Sequence, residues 1–291
     1  MEQGRVFGIV SSGGCATGTL SALLSSPTND MVCFHHGVRT GYEEYFARQG
    51  SVREALLQIS IDQGVIVGDI MREINPFIMD DYGGGKSNII YLIRNPIRRA
   101  LSILRIYAHK FSEDSLYFSP TSSPDVRNNL WHMMKLIYMR QGKIINPQLF
   151  GKHRIWAERH TQRVVWLQYQ FLYRLMVFVL PHDRRNFHFL GKEKGFRYED
   201  YISNAECMEC LLSGVLSKFH VEKIMAIYNQ GLPRIHHRSA EISDEFLVKT
   251  LDNDMGFIRL CIDSISDLLK EKVDFNMQKF YMEFNYDLNN E

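Results

Sequence analysis

The chain has 291 residues, 45% hydrophobic and 23% charged, with a formal net charge of +1, a globular composition long enough for one large α/β domain or two small ones. The near-neutral balance excludes a broad polyanion-binding surface, and with it a nucleic-acid partner, while leaving room for a local basic pocket. Five cysteines without regular spacing exclude a disulfide framework, and no apolar run is long enough to cross a membrane.

The first strand is expected at Arg5–Val10. It runs into Ser11-Ser12-Gly13-Gly14-Cys15-Ala16-Thr17-Gly18-Thr19-Leu20, which reads as a turn opening a helix. Such a junction presents unpaired backbone N–H groups at the positive end of a helix dipole, where an anion is favoured. Glycines let the backbone approach closely, and Thr17 and Thr19 add hydroxyls. The loop has no Gly-Lys-Ser/Thr, the feature that places a lysine on nucleotide phosphates and a hydroxyl on magnesium, and G-x-G-x-x-G is not matched cleanly. Hydrolysis of ATP or GTP is therefore disfavoured.

Further strands are expected at Met31–Phe34, ending at His35-His36-Gly37, and at Gly64–Gly68, ending at Asp69. The next is Asn88–Ile93, ending at Arg94. A fifth is expected at Asn186–Leu190. Short Val- and Ile-rich runs separated by helical stretches predict an α/β fold with a parallel sheet covered on both faces. After the fourth strand, Asn95 suits an N-cap and Pro96 the first helical position. In that helix Ile97, Leu101 and Leu104 share one face, and Arg98, Ser102 and Arg105 another. Arg99 and Arg105 are expected as solvated charges. Arg94 is instead expected at an anion, because its planar fork can bind a phosphate through two hydrogen bonds.

Ser112–Pro124 reads as a loop, and Gln162–Leu180 as an aromatic-rich helix that Pro181 stops. Helices are expected around Cys207–Lys218, His220–Asn229 and Ser243–Leu269. The pattern predicts one domain, residues 1–291, with a helical insertion at about 106–185. Cys207 and Cys210 form a single C-x-x-C with no second pair, read as two thiols in a helix of a reduced compartment. No leader opens the sequence, so a soluble, cytosolic location is expected.

Three of these segments together resemble the sulfotransferases that use 3′-phosphoadenosine 5′-phosphosulfate (PAPS). In that family an N-terminal strand–loop–helix holds the 5′-phosphosulfate, and a later strand ends in Arg-Asn-Pro. A Ser eight residues after that Arg joins it on the 3′-phosphate, the separation of Arg94 and Ser102 here. A Tyr-Glu-Asp after a late strand contacts the adenine, matched by Tyr198-Glu199-Asp200. The stretch around Arg234, His236, His237 and Arg238 is loosely similar to the family's basic C-terminal segment. The resemblance covers most of the chain in order. It implies a nucleoside-kinase-like, P-loop-like fold and nucleotide contacts from Gly14, Cys15, Ala16, Thr17, Gly18, Thr19, Leu20, Arg94, Ser102 and Tyr198. PAPS would be the sulfuryl donor and 3′-phosphoadenosine 5′-phosphate (PAP) the product, without a metal.

One departure stands out. Ala16 occupies the place of a Lys or Arg that stabilises charge on the leaving oxygen, and Leu20 that of a hydroxyl or aromatic residue. Either another cation substitutes, with Arg39, Arg72, Lys86 and Lys192 as candidates, or the chain is slow or inactive. Sulfuryl transfer also needs a general base at the carboxyl end of a strand. His35, His36 and Asp69, with Glu73 nearby, are the candidates. Alternation lets only one of the two histidines face the site, and His36 is preferred. The acceptor, a small molecule or glycan, is expected on the insertion, where Trp131, Tyr138, Trp156, Trp166, Tyr169 and Tyr173 lie, although such a stripe is commonly core. The competing readings are a phosphoryl-transfer enzyme on a related fold and a homologue that binds the nucleotide but has lost the chemistry.

Overall fold

The computed structural model describes residues 6–11, 15–25, 30–35, 40–71, 88–108, 124–142, 160–231, 249, 251 and 256–288. Gly13, Gly14, His36, Arg39, Arg72, Glu73, Lys86, Trp156, Arg234, His236, His237 and Arg238 lie outside these residues, as does the 112–124 loop up to its final proline. The chain divides into two compact units, Met1–Arg94 with Pro181–Ile235 and Asn95–Leu180 with His236–Glu291.

The first unit is built on five parallel strands: β1 (Val6–Val10), β2 (Met31–His35), β3 (Ile66–Met71), β4 (Ile89–Ile93) and β5 (Gly195–Arg197), in the order β2-β3-β1-β4-β5. β1, β3 and β4 are buried along their whole length, as expected for strands covered on both faces. Gly68 in β3 is needed for close approach, since a Cβ there would lie 2.2 Å from the ring of Phe7 on β1. Helix α1 (Thr17–Leu24) is stitched to β2 by side chains. Ser21 Oγ donates to the Cys33 carbonyl at 2.8 Å, and the Cys33 N–H donates to Ser25 Oγ at 2.9 Å.

Helix α2 (Glu43–Arg48) precedes α3 (Val52–Gln63), whose ends follow local rules. Ser51 Oγ accepts from the Glu54 N–H, and Gly64 takes φ 66° after the last turn. Phe7, Ile9, Leu20, Leu23, Ile90 and Leu212 lie in one hydrophobic core.

The strand limits differ from expectation in two places. β3 runs on through Ile70 and Met71, so Asp69 lies inside the strand, paired in register with Gly8 and Phe34. The carboxylate, 2% exposed, interrupts the apolar run without ending the ladder. Asn186–Leu190 is not a strand but the end of helix α7 (Leu180–Leu190). Its buried positions, Leu180, Asp183, Asn186 and Leu190, follow a helical period, but two of them are polar, which hides the period in the sequence. The true fifth strand, Gly195–Arg197, is three half-buried residues with no apolar run to announce it.

Helices α8 (Tyr198–Ser203), α9 (Ala205–Ser213) and α10 (Lys218–Tyr228) complete this unit. Cys207 and Cys210 lie in α9 as free thiols.

The second unit contains α4 (Pro96–Ala108), α5 (Pro124–Arg140), α6 (His160–Tyr173), a π-helical turn (Arg174–Val179), α11 (Phe257–Val273) and α12 (Met277–Met282). Asn95 Oδ1 accepts from the N–H groups of Ile97 and Arg98 at 2.9 and 3.1 Å, the expected cap, and Ile97, Leu101 and Leu104, expected on one face, are all buried. Arg99 is not a solvated charge: it is fully buried. Pro181 does not stop the helix before it. The wider π turn closes Leu180 N–H onto the Leu175 carbonyl, and α7 continues through the proline.

Tyr138, Tyr169 and Tyr173 are core residues. Tyr138 donates its hydroxyl to Gln168, which donates to the Leu251 carbonyl at 2.8 Å, and burial pushes the Tyr138 phenol up to about 12. Arg140 ties α5 to α11 through Ser264 at 3.0 Å and Asp267 at 3.1 Å. Among the described residues no helix is long and apolar enough to cross a membrane.

Candidate functional site

The strand order fixes where a ligand would lie. From β1 the chain crosses to β2 at one edge, returns through β3, passes over β1 to β4 and moves outward to β5. Connections therefore leave β1 and β4 in opposite directions. In open parallel sheets the crevice outside the carboxyl ends of two such strands is the usual binding place. Among the described residues, those there are Cys15 and Ala16, in the turn that leads into α1, and Arg94 after β4.

The turn after β1 ends at Ala16, which is left-handed at φ 48°, ψ 32°, and α1 begins at Thr17 with no side-chain cap and no acidic residue in its first turn. A non-glycine residue in this region costs of order 1–3 kcal/mol and persists only where its surroundings hold it. Two contacts do so from opposite sides. His35, the last residue of β2, places Nε2 2.9 Å from Thr17 Oγ1. From α8, the buried Tyr201 donates its hydroxyl to the Cys15 carbonyl. Thr17 and Leu20 are buried, while Gly18 and Thr19 are partly exposed.

Arg94 is brought to Tyr198 by strand register. Ile93 pairs with Arg197 as the last residues of β4 and β5, so the residues that follow the two strands, Arg94 and Tyr198 at the start of α8, are brought side by side. The Arg94 guanidinium lies over the Tyr198 ring, 4.4 Å from its centroid, and its Nε is 3.7 Å from Glu199 Oε1. Stacking of this kind holds an arginine's plane while the cation remains charged. Tyr198 packs edge-on against Tyr201 at 5.9 Å, which links this group to the Cys15 carbonyl.

The expected residues thus fall into classes. Cys15 through Leu20, His35, Arg94 and Tyr198 all belong to the first unit, and contacts join Thr17 to His35 and Arg94 to Tyr198. Ser102 is buried on α4 in the second unit. Asp69 is buried inside β3, where burial and its carboxylate together push the Cys33 thiol up. Lys192 lies exposed in a single 3-10 turn, Lys192–Lys194, and is the described member of the four candidate cations.

Tyr201 was missed. The residue immediately after a Tyr-Glu-Asp reads as ordinary core, and a hydroxyl reaching a carbonyl 186 residues earlier leaves no local signal. Among the described residues no group of three or more His, Cys, Asp or Glu side chains could hold a metal ion.

No family model, no curated protein and no solved structure matches this chain.

Proposed function

We propose that the protein is a sulfotransferase that moves a sulfuryl group from PAPS to a hydroxyl or amine of an acceptor. The observation that carries the reading is the pairing of Arg94 with Tyr198 beside the turn that follows β1. The resemblance assigns these two residues to the 3′-phosphate and the adenine of one nucleotide, and they lie on segments far apart in the sequence. Their contact is what a shared ligand would need. The crevice at the β1/β4 switch point is the second support.

In this reading Arg94 pairs with the 3′-phosphate, Tyr198 covers the adenine, and the turn from Cys15 to Leu20 receives the 5′-phosphosulfate. The acceptor oxygen or nitrogen attacks sulfur in line. The bond from sulfur to the bridging phosphate oxygen breaks as the new bond forms, and the acceptor proton passes to a base. His36 and His35 remain the candidates for that base, because Asp69 lies within its strand. Charge on the departing phosphate is met by backbone N–H groups and by the hydroxyls of Thr17 and Thr19. Ala16 supplies no cation, so transfer is expected to be slow. Ala16→Lys tests this: faster release of PAP from PAPS would show that the leaving-group cation limits the rate.

The deciding experiment is calorimetric titration of the protein with PAP, set beside ATP with magnesium. Magnesium-independent binding of PAP in preference to ATP supports the reading. Binding of ATP only with magnesium moves the assignment to phosphoryl transfer. Binding of neither removes the nucleotide site.

A further inference from the structure

We infer that Tyr201 is a positioning residue for the 5′-anion subsite, holding the left-handed Ala16 peptide in the orientation that aims the N–H groups of the turn at the ligand; the inference rests on the nucleotide reading above. Three observations lead to it. First, Ala16 is left-handed and Thr17 begins a right-handed helix. Adjacent residues of opposite hand turn successive backbone N–H groups to one side and form a concavity suited to an anion. Second, no cis peptide bond occurs among the described residues, so the Cys15 carbonyl and the Ala16 N–H point in opposite directions across one planar unit. Fixing the carbonyl fixes the N–H.

Third, the group that fixes it is the Tyr201 hydroxyl, on a side chain only 1% exposed. Tyr201 also packs edge-on against Tyr198, which lies under Arg94. Helix α8 is in turn anchored by Tyr228, whose hydroxyl reaches the Ile202 carbonyl at 3.2 Å. One short helix therefore carries both the ring assigned to the adenine and the hydroxyl that sets the phosphate turn. An alanine held in the left-handed region needs such an outside constraint, since its own preference is for the right-handed one. The same device gives a chain without the leading basic residue a way to receive an anion through its backbone.

The test is Tyr201→Phe, which keeps the buried ring and removes the hydroxyl. Binding is measured calorimetrically for PAP and for adenosine 3′-monophosphate, which lacks the 5′-phosphate. The loss of one neutral hydrogen bond predicts PAP binding about three- to tenfold weaker, with adenosine 3′-monophosphate unchanged. The double variant Ala16→Gly/Tyr201→Phe should recover most of the PAP affinity, because glycine enters the left-handed region without help. Equal weakening of both nucleotides, or no recovery in the double variant, overturns the positioning role while leaving the nucleotide site in place. Failure of the unmodified protein to bind either nucleotide overturns the site and the positioning role together.

Discussion

The two strand ends that flank the switch point use opposite means. After β4 the chain presents a cation, Arg94, held by a ring and a carboxylate that strand register delivers to it. After β1 it presents no charge, only a strained alanine, helix N–H groups and a threonine hydroxyl, each held in place by a residue from another element. A charged side chain carries its own affinity for an anion and needs little more than orientation. Backbone groups are useful only where the fold holds them converging. The β1 end should therefore depend on its supports, and the β4 end on one residue.

The largest effect is expected from Arg94→Ala. Loss of a charge-assisted hydrogen bond costs about 1.5–3 kcal/mol, so PAP affinity should fall roughly ten- to a hundredfold with the far-ultraviolet dichroism unchanged. Unaltered affinity would remove Arg94 from the site and with it the contrast between the two ends. Thr17→Val should have a smaller effect, about 0.5–1.5 kcal/mol in PAP binding, since a neutral hydroxyl is lost and the side-chain volume is kept. Thr17→Val and His35→Leu are expected to be non-additive, because either change breaks the 2.9 Å contact. Additive losses in that double-mutant cycle would mean that His35 acts without Thr17.

Ala16→Gly alone sharpens the contrast through stability. Relief of the left-handed conformation gains about 1–2 kcal/mol, while the extra freedom of glycine in the unfolded chain costs about 0.4–1 kcal/mol. The first term is larger, so a net stabilisation of about 0.5–1 kcal/mol is expected in urea unfolding. A loss of stability would show that Ala16 is not strained as its φ of 48° implies.

How much of this was legible depended on whether a residue's role is local. β1, β2, β4 and the Asn95 cap followed from short apolar runs and from a side chain that satisfies its own helix. Arg94 stood out at the end of an apolar run, whereas Tyr198 came from the resemblance alone, after a run, Asn186–Leu190, that is helix and not strand. Elements whose buried face is polar were misread. α7 hides Asp183 and Asn186, β3 buries Asp69 mid-strand, and α4 buries Arg99, so hydrophobic patterning pointed the wrong way at each. β5 escaped because register, rather than composition, makes it a strand. Tyr201 escaped because its partner is a main-chain atom at the other end of the chain.

The smallest effect separates the site from its scaffold. Lys223 on α10 donates to Asp30 at 2.9 Å just before β2, away from both strand ends. The hydrogen bond and charge of Lys223 hold the Asp30 carboxyl below its ordinary value of 3.8. A carboxyl lowered in this way stabilises the fold above its unfolded pKa, and the contribution is lost as pH falls through the folded value. Asp30 is exposed, so solvent screens the pair and Lys223→Met should leave urea unfolding at neutral pH nearly unchanged. The variant should lose only the part of the acid-side decline in stability that belongs to this pair, and PAP affinity should not move at all. A change in PAP affinity would mean that the β2 side of the sheet is coupled to the turn after β1, and that His35 transmits more than its contact with Thr17.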